Sequence, residues 1–392
     1  MISLRKKHTG IFLHLQILKV EGMVKAPVKI LIALLLALNS CISQFIQRTS
    51  ENQEIFVVEG LITDQPEPNT VKLSTTMPLG LRSTSKPITG YSVSVIDDLY
   101  NVFHLTETEP GTYVTDPRSF RGTVGIIYTL HIISNKGNVY SSYPMEMIPV
   151  PPIDSIFYEK EKITEYGNPL IDQDGCQIYL NTNDPERKCN FFRWEYDETW
   201  EIRIPYTVPN YICWVSSKSD QINIKSTATL NESLVHKYPL NFVSNQTDRL
   251  KYKYSMLVKQ YSINESEYDY WEKLQTISEQ VGSLYDKIPS SVPSNVFSAN
   301  NPDETVLGFF SVSACTSKRI FVKDHFAGVA NLYTKDACEA GIVESGVDIP
   351  GLNVYVWVIL ENFIPPYKVI TYTRGCADCT VRGTNVEPDY WK

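Results

Sequence analysis

The sequence predicts a mainly β protein with two domains. Three observations support this class. The chain has 392 residues, which is long for one domain, and 43% of them are hydrophobic, enough to bury a sizeable core. It contains 24 Tyr and 15 Phe residues, which favour strands, and 23 Pro residues, which interrupt regular structure. Apolar and polar residues also alternate with a period of two along several segments.

Residues 54–148 carry the clearest strand pattern. The run EIFVVEGLIT at 54–63 predicts a buried strand, and DQPEP at 64–68 predicts a turn. Residues 128–132 alternate between apolar and polar side chains, which indicates a strand with one buried face. Because turn signals recur about every 8–12 residues, we expect an immunoglobulin-like or transthyretin-like β-sandwich over 54–148. Such modules more often bind a ligand or act as spacers than catalyse a reaction.

A proline-rich segment, PVPP at 149–152, marks the predicted domain boundary, because each proline restricts its own backbone and that of its predecessor. We expect a larger β-rich domain over residues 149–392. Within it, the apolar runs at 176–180 and 191–200 predict a long hairpin around the Asn-Asp-Pro turn at 183–185.

One helix is well indicated in the C-terminal domain, which we expect to hold one or two. The sequence SINE at 262–265 fits a capping box, in which the Ser262 hydroxyl and the Glu265 carboxylate bond to free end amides. Apolar residues then follow at steps of four, three and four, and Gly282 ends the pattern. The predicted helix therefore covers residues 263–282 and packs as a lid on a sheet.

The charge and motif content argue against several functions. A net charge of −8 disfavours a nucleic-acid partner, which needs a basic face. The sequence has no GxSxG, HExxH, Walker or GxGxxG motif, and no nucleophile–base pair can be named. Asp172–Gly175 lacks most ligands of a calcium loop, so a hairpin-edge turn is favoured there. We therefore predict a non-enzyme with no catalytic residues, metal or cofactor. The histidines at 104, 131, 236 and 325 stand alone.

The N-terminus has the pattern of a bacterial lipoprotein signal peptide. Basic residues precede a short apolar run, ILIALLLAL at 30–38, and small residues lead to Cys41. The apolar run is far shorter than the roughly 20 residues of a membrane-spanning helix. We expect residues 1–40 to be removed, translation to begin at Met23, and the Cys41 thiol to carry the lipid. A buried helix with an incidental cysteine is the alternative.

Several acyl chains on Cys41 would hold the protein on a membrane, since each buried methylene contributes about 0.8 kcal/mol. Residues 41–53 are polar enough to form a tether. We expect an outer-membrane location. The tether sequence does not decide between the cell surface and the periplasmic face of the outer membrane, and we favour the cell surface.

The cysteines outside the anchor indicate structural cross-links. Of eight cysteines, Cys41 takes one, and the odd remainder leaves at least one thiol without an intramolecular partner. Cys376 and Cys379 form a CxxC pair that would serve in redox chemistry, in half of a zinc site or in disulfides. Because it lies in a Gly- and Thr-rich tail, we expect structural use, with Cys338 bonded to Cys376 or Cys379. A Cys176–Cys189 bond is disfavoured by the predicted hairpin register.

Four aromatic residues lie in Pro- or Ser-rich stretches and are candidates for contacting a ligand. They are Tyr206, Tyr211, Trp214 and Tyr285. Core packing is at least as good an account of them.

Several segments together are similar to one family. They are VVEGLITDQPEPNTVKLS (57–74), FFRWEYDETWEI (191–202), YSMLVKQYSI (254–263) with YWEKL (270–274), GSLYDKIPSSVPSNV (282–296), VLGFFSVSACTSKRIFV (306–322) and CADCTVRGTNVEPDYW (376–391). On these segments the chain resembles the domain-of-unknown-function 4249 family of lipoproteins, found mainly in Bacteroidetes. The resemblance runs over nearly the whole mature chain and carries no assigned active site.

The resemblance implies a function beside a transporter, because members are often encoded next to TonB-dependent outer-membrane barrels. We therefore expect a non-catalytic accessory lipoprotein that captures a substrate for such a barrel, with the ligand unidentified. The alternative is a structural scaffold lipoprotein in outer-membrane protein assembly or secretion.

Overall fold

The structure of the protein is a computed structural model. It describes residues 54–76, 85–164, 172–205, 208–280, 292, 294–333, 337–338, 341–347 and 355–392. Cys41 with the predicted signal and tether, and the candidates Tyr206 and Tyr285, lie outside the described residues. Within those residues there are 22 strands and one α-helix, which confirms the mainly β class.

Eleven strands form the first sheet. Nine of them come from residues 56–146, and two come from residues 296–313. The strands are β1 (Phe56–Thr63), β2 (Thr70–Thr75), β3 (Lys86–Pro87), β4 (Ser92–Asp97), β5 (Val102–Glu109), β6 (Thr112–Val114), β7 (Ile127–Ile133), β8 (Val139–Ser142), β9 (Met145–Glu146), β17 (Val296–Ser298) and β18 (Val306–Ser313).

The first sheet curls into a nearly closed, barrel-like layer, in the order β17-β8-β7-β4-β5-β6-β2-β1-β18. Asn295 bridges its two ends. The Asn295 side chain donates to the carbonyl of Phe310 and accepts from its amide, both at 2.8 Å, so it imitates a missing strand partner. The sheet thus draws on both sides of the predicted boundary at 149. The boundary itself stays a prediction.

The pairing of β1 with β18 is parallel and places Val58 opposite Gly308. Gly308 has φ +89°, and a Cβ there would lie 2.0 Å from the Val58 carbonyl oxygen. Gly308→Ala is therefore expected to lower the free energy of unfolding by about 2–3 kcal/mol, because backbone strain and a backbone clash combine. Urea denaturation followed by circular dichroism measures the loss.

Gly137→Ala is the matched control for that variant. Gly137 has φ +86°, but a Cβ there would meet nothing within 4 Å. An alanine at position 137 would have the backbone strain without the clash, so Gly137→Ala should lower the free energy of unfolding clearly less than Gly308→Ala does. Equal losses at the two glycines would show that close packing of β1 on β18 does not require Gly308.

Two further sheets pack face to face and bury a second core, which includes Ile178, Leu180, Trp194, Met256 and Val258. One has three strands, in the order β10-β11-β15, and the other has five, in the order β13-β12-β16-β19 with β14 beside β12. Their strands are β10 (Ile153–Thr164), β11 (Asp172–Asp184), β12 (Phe191–Arg203), β13 (Ile212–Lys218), β14 (Asn223–Ser226), β15 (Ser233–Ser244), β16 (Tyr254–Ser262) and β19 (Cys315–Val322).

The predicted hairpin between 176–180 and 191–200 is wrong. These segments belong to β11 and β12, which lie in different sheets and pair with other strands. The chain crosses from one layer to the other, because both strands carry apolar faces that bury against each other. Gln260 joins the layers, accepting from Trp194 Nε1 at 2.8 Å and donating to Thr182 Oγ1 at 3.1 Å. The segment 172–175, predicted as a turn, lies within β11.

The helix α1 (Glu265–Gln280) falls where the sequence predicts it. Its cap differs from the prediction. Asn264 Oδ1 accepts from the Glu267 amide at 2.9 Å, whereas Ser262 Oγ donates to the carbonyl of Ile148. Asn264 therefore begins the helix, and Glu267 takes the third helical position. Among the described residues, no helix combines the length and apolarity needed to cross a membrane.

The C-terminal part adds a three-stranded sheet in the order β20-β22-β21. This part has two disulfides. Cys338–Cys376, one of the two predicted pairings, joins the segments before and after the sheet, and Cys213–Cys379, which was not predicted, ties the C-terminal part to β13. The two cysteines of the CxxC pair thus have different partners, as expected for structural use. The strands are β20 (Gly341–Glu344), β21 (Tyr355–Leu360) and β22 (Tyr367–Thr371), and three short 3-10 helices are Asp248–Leu250, Arg374–Cys376 and Cys379–Val381.

Candidate functional site

An open groove lies between the first sheet and the five-stranded sheet. We call it the interlayer groove. Strands β1 and β2 form one wall and strands β12, β16 and β19 the other, and α1 closes one end. It consists of two hollows of about 450 and 340 Å³, the helix end and the loop end, which share Leu61, Thr70 and Glu195. These volumes fall within the roughly 300–1,000 Å³ of small-molecule sites.

A buried guanidinium dominates the helix end. Arg193, on β12, lies between two aromatic rings, 4.6 Å from the centroid of Tyr261 and 4.9 Å from that of Trp271. It donates to Glu195, and its Nε lies 3.7 Å from a carboxylate oxygen of Glu267. Burial opposes the charge of Arg193, but Glu195 and Glu267 outweigh it and hold the pKa above its ordinary value.

Glu267, at the start of α1, is the buried partner of that guanidinium. Its carboxylate is fully buried and accepts from Ser311 Oγ at 2.8 Å and from Trp271 Nε1 at 3.2 Å. Burial raises the pKa of Glu267, although Arg193 opposes the shift. The ion pair therefore fixes α1 against β12 and β18, and so sets the width of the helix end.

The loop end contains an unused hydrogen-bond donor. Asn69 is 3% exposed and lines the groove. Its Oδ1 accepts from the Thr63 amide at 2.7 Å and from the Thr63 hydroxyl at 3.1 Å, but Nδ2 has no partner among the described residues. A buried amide without a partner costs about 1–3 kcal/mol, and a ligand oxygen bonded to it would relieve that cost.

The loop that carries Asn69 is fastened to the opposite wall. Gln65 Nε2 donates to the Cys315 carbonyl at 2.7 Å, and the Cys315 amide donates to Asp64 Oδ1 at 2.9 Å. Burial raises the pKa of Cys315 to about 12, which keeps its thiol protonated and unreactive. The loop end is therefore a built part of the fold.

Charged side chains of both signs line the groove. The helix end has Glu59, Glu195, Lys72 and Arg193, and the loop end has Glu67, Glu195, Lys218 and Lys259. Several of these charges are already paired, since Arg193 bonds to Glu195 and Lys259 Nζ lies 3.0 Å from Asp197. Because Glu195 belongs to both ends, the whole lining has three acidic and four basic side chains, and Asp197 offsets one of the basic ones.

Two of the predicted ligand-contact residues, Tyr211 and Trp214, are described by the structure and do not line the groove. Tyr211 is 42% exposed, and Trp214 is 8% exposed. Trp214 pairs with the C-terminal segment, its amide donating to the Thr384 carbonyl at 2.8 Å. No group of three His, Cys, Asp or Glu residues suited to a metal occurs in the part of the chain that the structure describes.

Sequence reasoning missed the residues that do line the groove. A signal for Arg193 and Glu195 is present in FFRWEYDETWEI, where they share the face opposite Trp194. Asn69 carried no comparable signal, because it stands in an ordinary turn sequence, QPEPN.

The fold and the groove define a mainly β protein with a polar cleft between two sheet layers. A family model described as "Domain of unknown function (DUF4249)" matches residues 42–319, and the chain belongs to this family. The groove-lining residues, from Glu59 to Ser317, fall within the match. A search of curated proteins returns no match.

Proposed function

We propose that the protein is a non-catalytic outer-membrane lipoprotein, anchored through Cys41, that captures a ligand in the interlayer groove for a TonB-dependent barrel. The observation that carries this proposal is the groove itself, with the unpartnered amide of Asn69 at one end and the ring-clamped guanidinium of Arg193 at the other. Buried polar groups that the protein leaves unpaired are characteristic of binding sites.

The position of the family segments supports the proposal. The groove is lined by residues from several of these segments. They come from 57–74, 191–202, 254–263 and 306–322, together with Tyr270, Trp271 and Leu274. These segments lie far apart in sequence and also carry the family resemblance. A shared groove accounts for both facts more directly than separate packing roles do.

The partner is tested by purification from native membranes. The full chain with a C-terminal affinity tag, after mild cross-linking, should co-purify with a TonB-dependent barrel identified by mass spectrometry. A Cys41→Ser variant is the control and should leave the membrane fraction and lose the barrel, because it lacks the thiol that accepts lipid.

Repeated purifications without a barrel would contradict this proposal. A deletion strain separates the alternative function. A growth defect on particular nutrients agrees with ligand capture, whereas loss of many unrelated surface proteins would favour a scaffold in assembly or secretion.

A further inference from the structure

We infer that the interlayer groove binds a neutral, hydroxyl-rich ligand of the oligosaccharide class, with the Asn69 amide donating to one of its oxygens. This inference rests on the proposed capture function and specifies its ligand. It is drawn from the charge balance, the polar lining and the apolar wall of the groove.

The charge balance argues for a neutral ligand. Each end of the groove has two acidic and two basic side chains. Arg193 pairs with Glu195, and Lys259 pairs with Asp197. Glu59 also stands opposite Lys72 in the pairing of β1 with β2, so most charges of the lining already face an opposite charge within the protein. A charged ligand would compete with these internal contacts, which lowers what it gains from the groove.

The polar lining argues for hydroxyl groups. Around the loop end, the side chains of Asn69 and Lys259 are donors, and those of Glu67 and Glu195 are acceptors. Donors and acceptors are intermixed over a short distance. A hydroxyl both donates and accepts at one atom, so it can use such a lining without needing a fixed direction. A peptide group instead presents its donor and acceptor on opposite sides.

The apolar wall of the helix end fits the C–H faces of sugar rings. Leu61, Tyr270, Trp271 and Phe309 contribute to this wall, and Tyr270 and Trp271 are half-buried. Aromatic side chains with a polar tip combine apolar contact with hydrogen bonding. Because the two hollows share lining residues, the groove offers adjacent places for successive sugar units.

Asn69→Asp is the sharpest test variant. It keeps the Oδ1 atom that accepts from Thr63 and replaces the unpartnered Nδ2 by an oxygen. The donor is thereby lost and a negative charge faces the ligand oxygen. Asn231→Asp is the matched control, because Asn231 is exposed and does not line the groove.

Binding is measured by isothermal titration calorimetry on the full chain in detergent. The probes are maltohexaose, cellohexaose, xylohexaose and mannohexaose, with hexagalacturonate and a tryptic peptide mixture as charged and peptidic comparisons. We expect at least one neutral hexasaccharide to bind, Asn69→Asp to weaken it at least tenfold, and Asn231→Asp to leave it unchanged. If Asn69→Asp fails to fold, Glu67→Ala, at an exposed position of the groove, should weaken binding at least threefold.

Three results would overturn the inference: binding of none of the neutral probes, binding of hexagalacturonate or peptides alone, or unaltered binding by a folded Asn69→Asp variant. The ligand class and the proposed function fail separately. If a barrel co-purifies but the chain binds no neutral glycan, only the ligand class is contradicted. If the chain binds a glycan but no barrel co-purifies, only the proposed partner is contradicted.

Discussion

The double variant Cys213→Ala/Cys379→Ala is expected to lose about 5 kcal/mol of unfolding free energy. This disulfide spans a sequence separation of 166 residues, and so long a cross-link removes much conformational entropy from the unfolded chain. It also joins β13 to the C-terminal segment, which pairs beside the edge strand β13 through Trp214 and Thr384. Equilibrium unfolding in urea, compared with the native sequence, measures the loss.

The other disulfide provides the matched comparison. Cys338–Cys376 spans a separation of only 38 residues, so Cys338→Ala/Cys376→Ala should lose about 4 kcal/mol. Both bonds hold the same short tail, so the comparison varies mainly the length of the closed loop. A larger loss from the shorter loop would contradict this account and point to native-state packing as the source of the stabilisation.

Arg193→Met is expected to lower the free energy of unfolding by about 3–5 kcal/mol. The substitution leaves the carboxylate of Glu267 fully buried without its counter-charge. It also removes the cation from between the rings of Tyr261 and Trp271. The helix end of the groove should loosen, because this ion pair holds α1 against β12. Urea unfolding followed by circular dichroism measures the loss of stability.

A double-mutant cycle distinguishes the ion pair from general packing. Glu267→Gln added to Arg193→Met should restore part of the loss, because it removes the uncompensated charge and keeps acceptor and donor atoms in place. Arg118→Met is the control, since Arg118 pairs with Asp116 on the surface and should leave stability almost unchanged. Additive losses in the cycle would show that Arg193 and Glu267 are not coupled.

Local patterns in the sequence predicted the positions of many strands and of the helix, but they did not predict which strands pair with each other. The alternating segments at 54–63 and 128–132 are strands β1 and β7, and the predicted helix is α1. The hairpin between 176–180 and 191–200 was wrong, because alternation identifies a buried face without identifying which strand pairs with which. The same limit hid the pairing of β18 with β1, which lies about 250 positions earlier in the chain.

The candidate site was largely beyond sequence reasoning. Tyr211 and Trp214 were chosen for their loop-like surroundings, yet they lie outside the groove. Arg193 and Glu267 are separated by many residues and meet because α1 packs across β12. The unpaired amide of Asn69 depends on the distances to Thr63, which no residue pattern encodes.

Composition, alternation, capping residues and the positions of the cysteines were enough to indicate a mainly β chain, the place of its helix and structural disulfides. These features depend on interactions between near neighbours, which a linear pattern records. The closure of the first sheet, the Cys213–Cys379 bond and the interlayer groove became visible in the folded chain alone. Each brings together segments far apart in sequence, and such contacts follow from how whole layers pack rather than from any local preference.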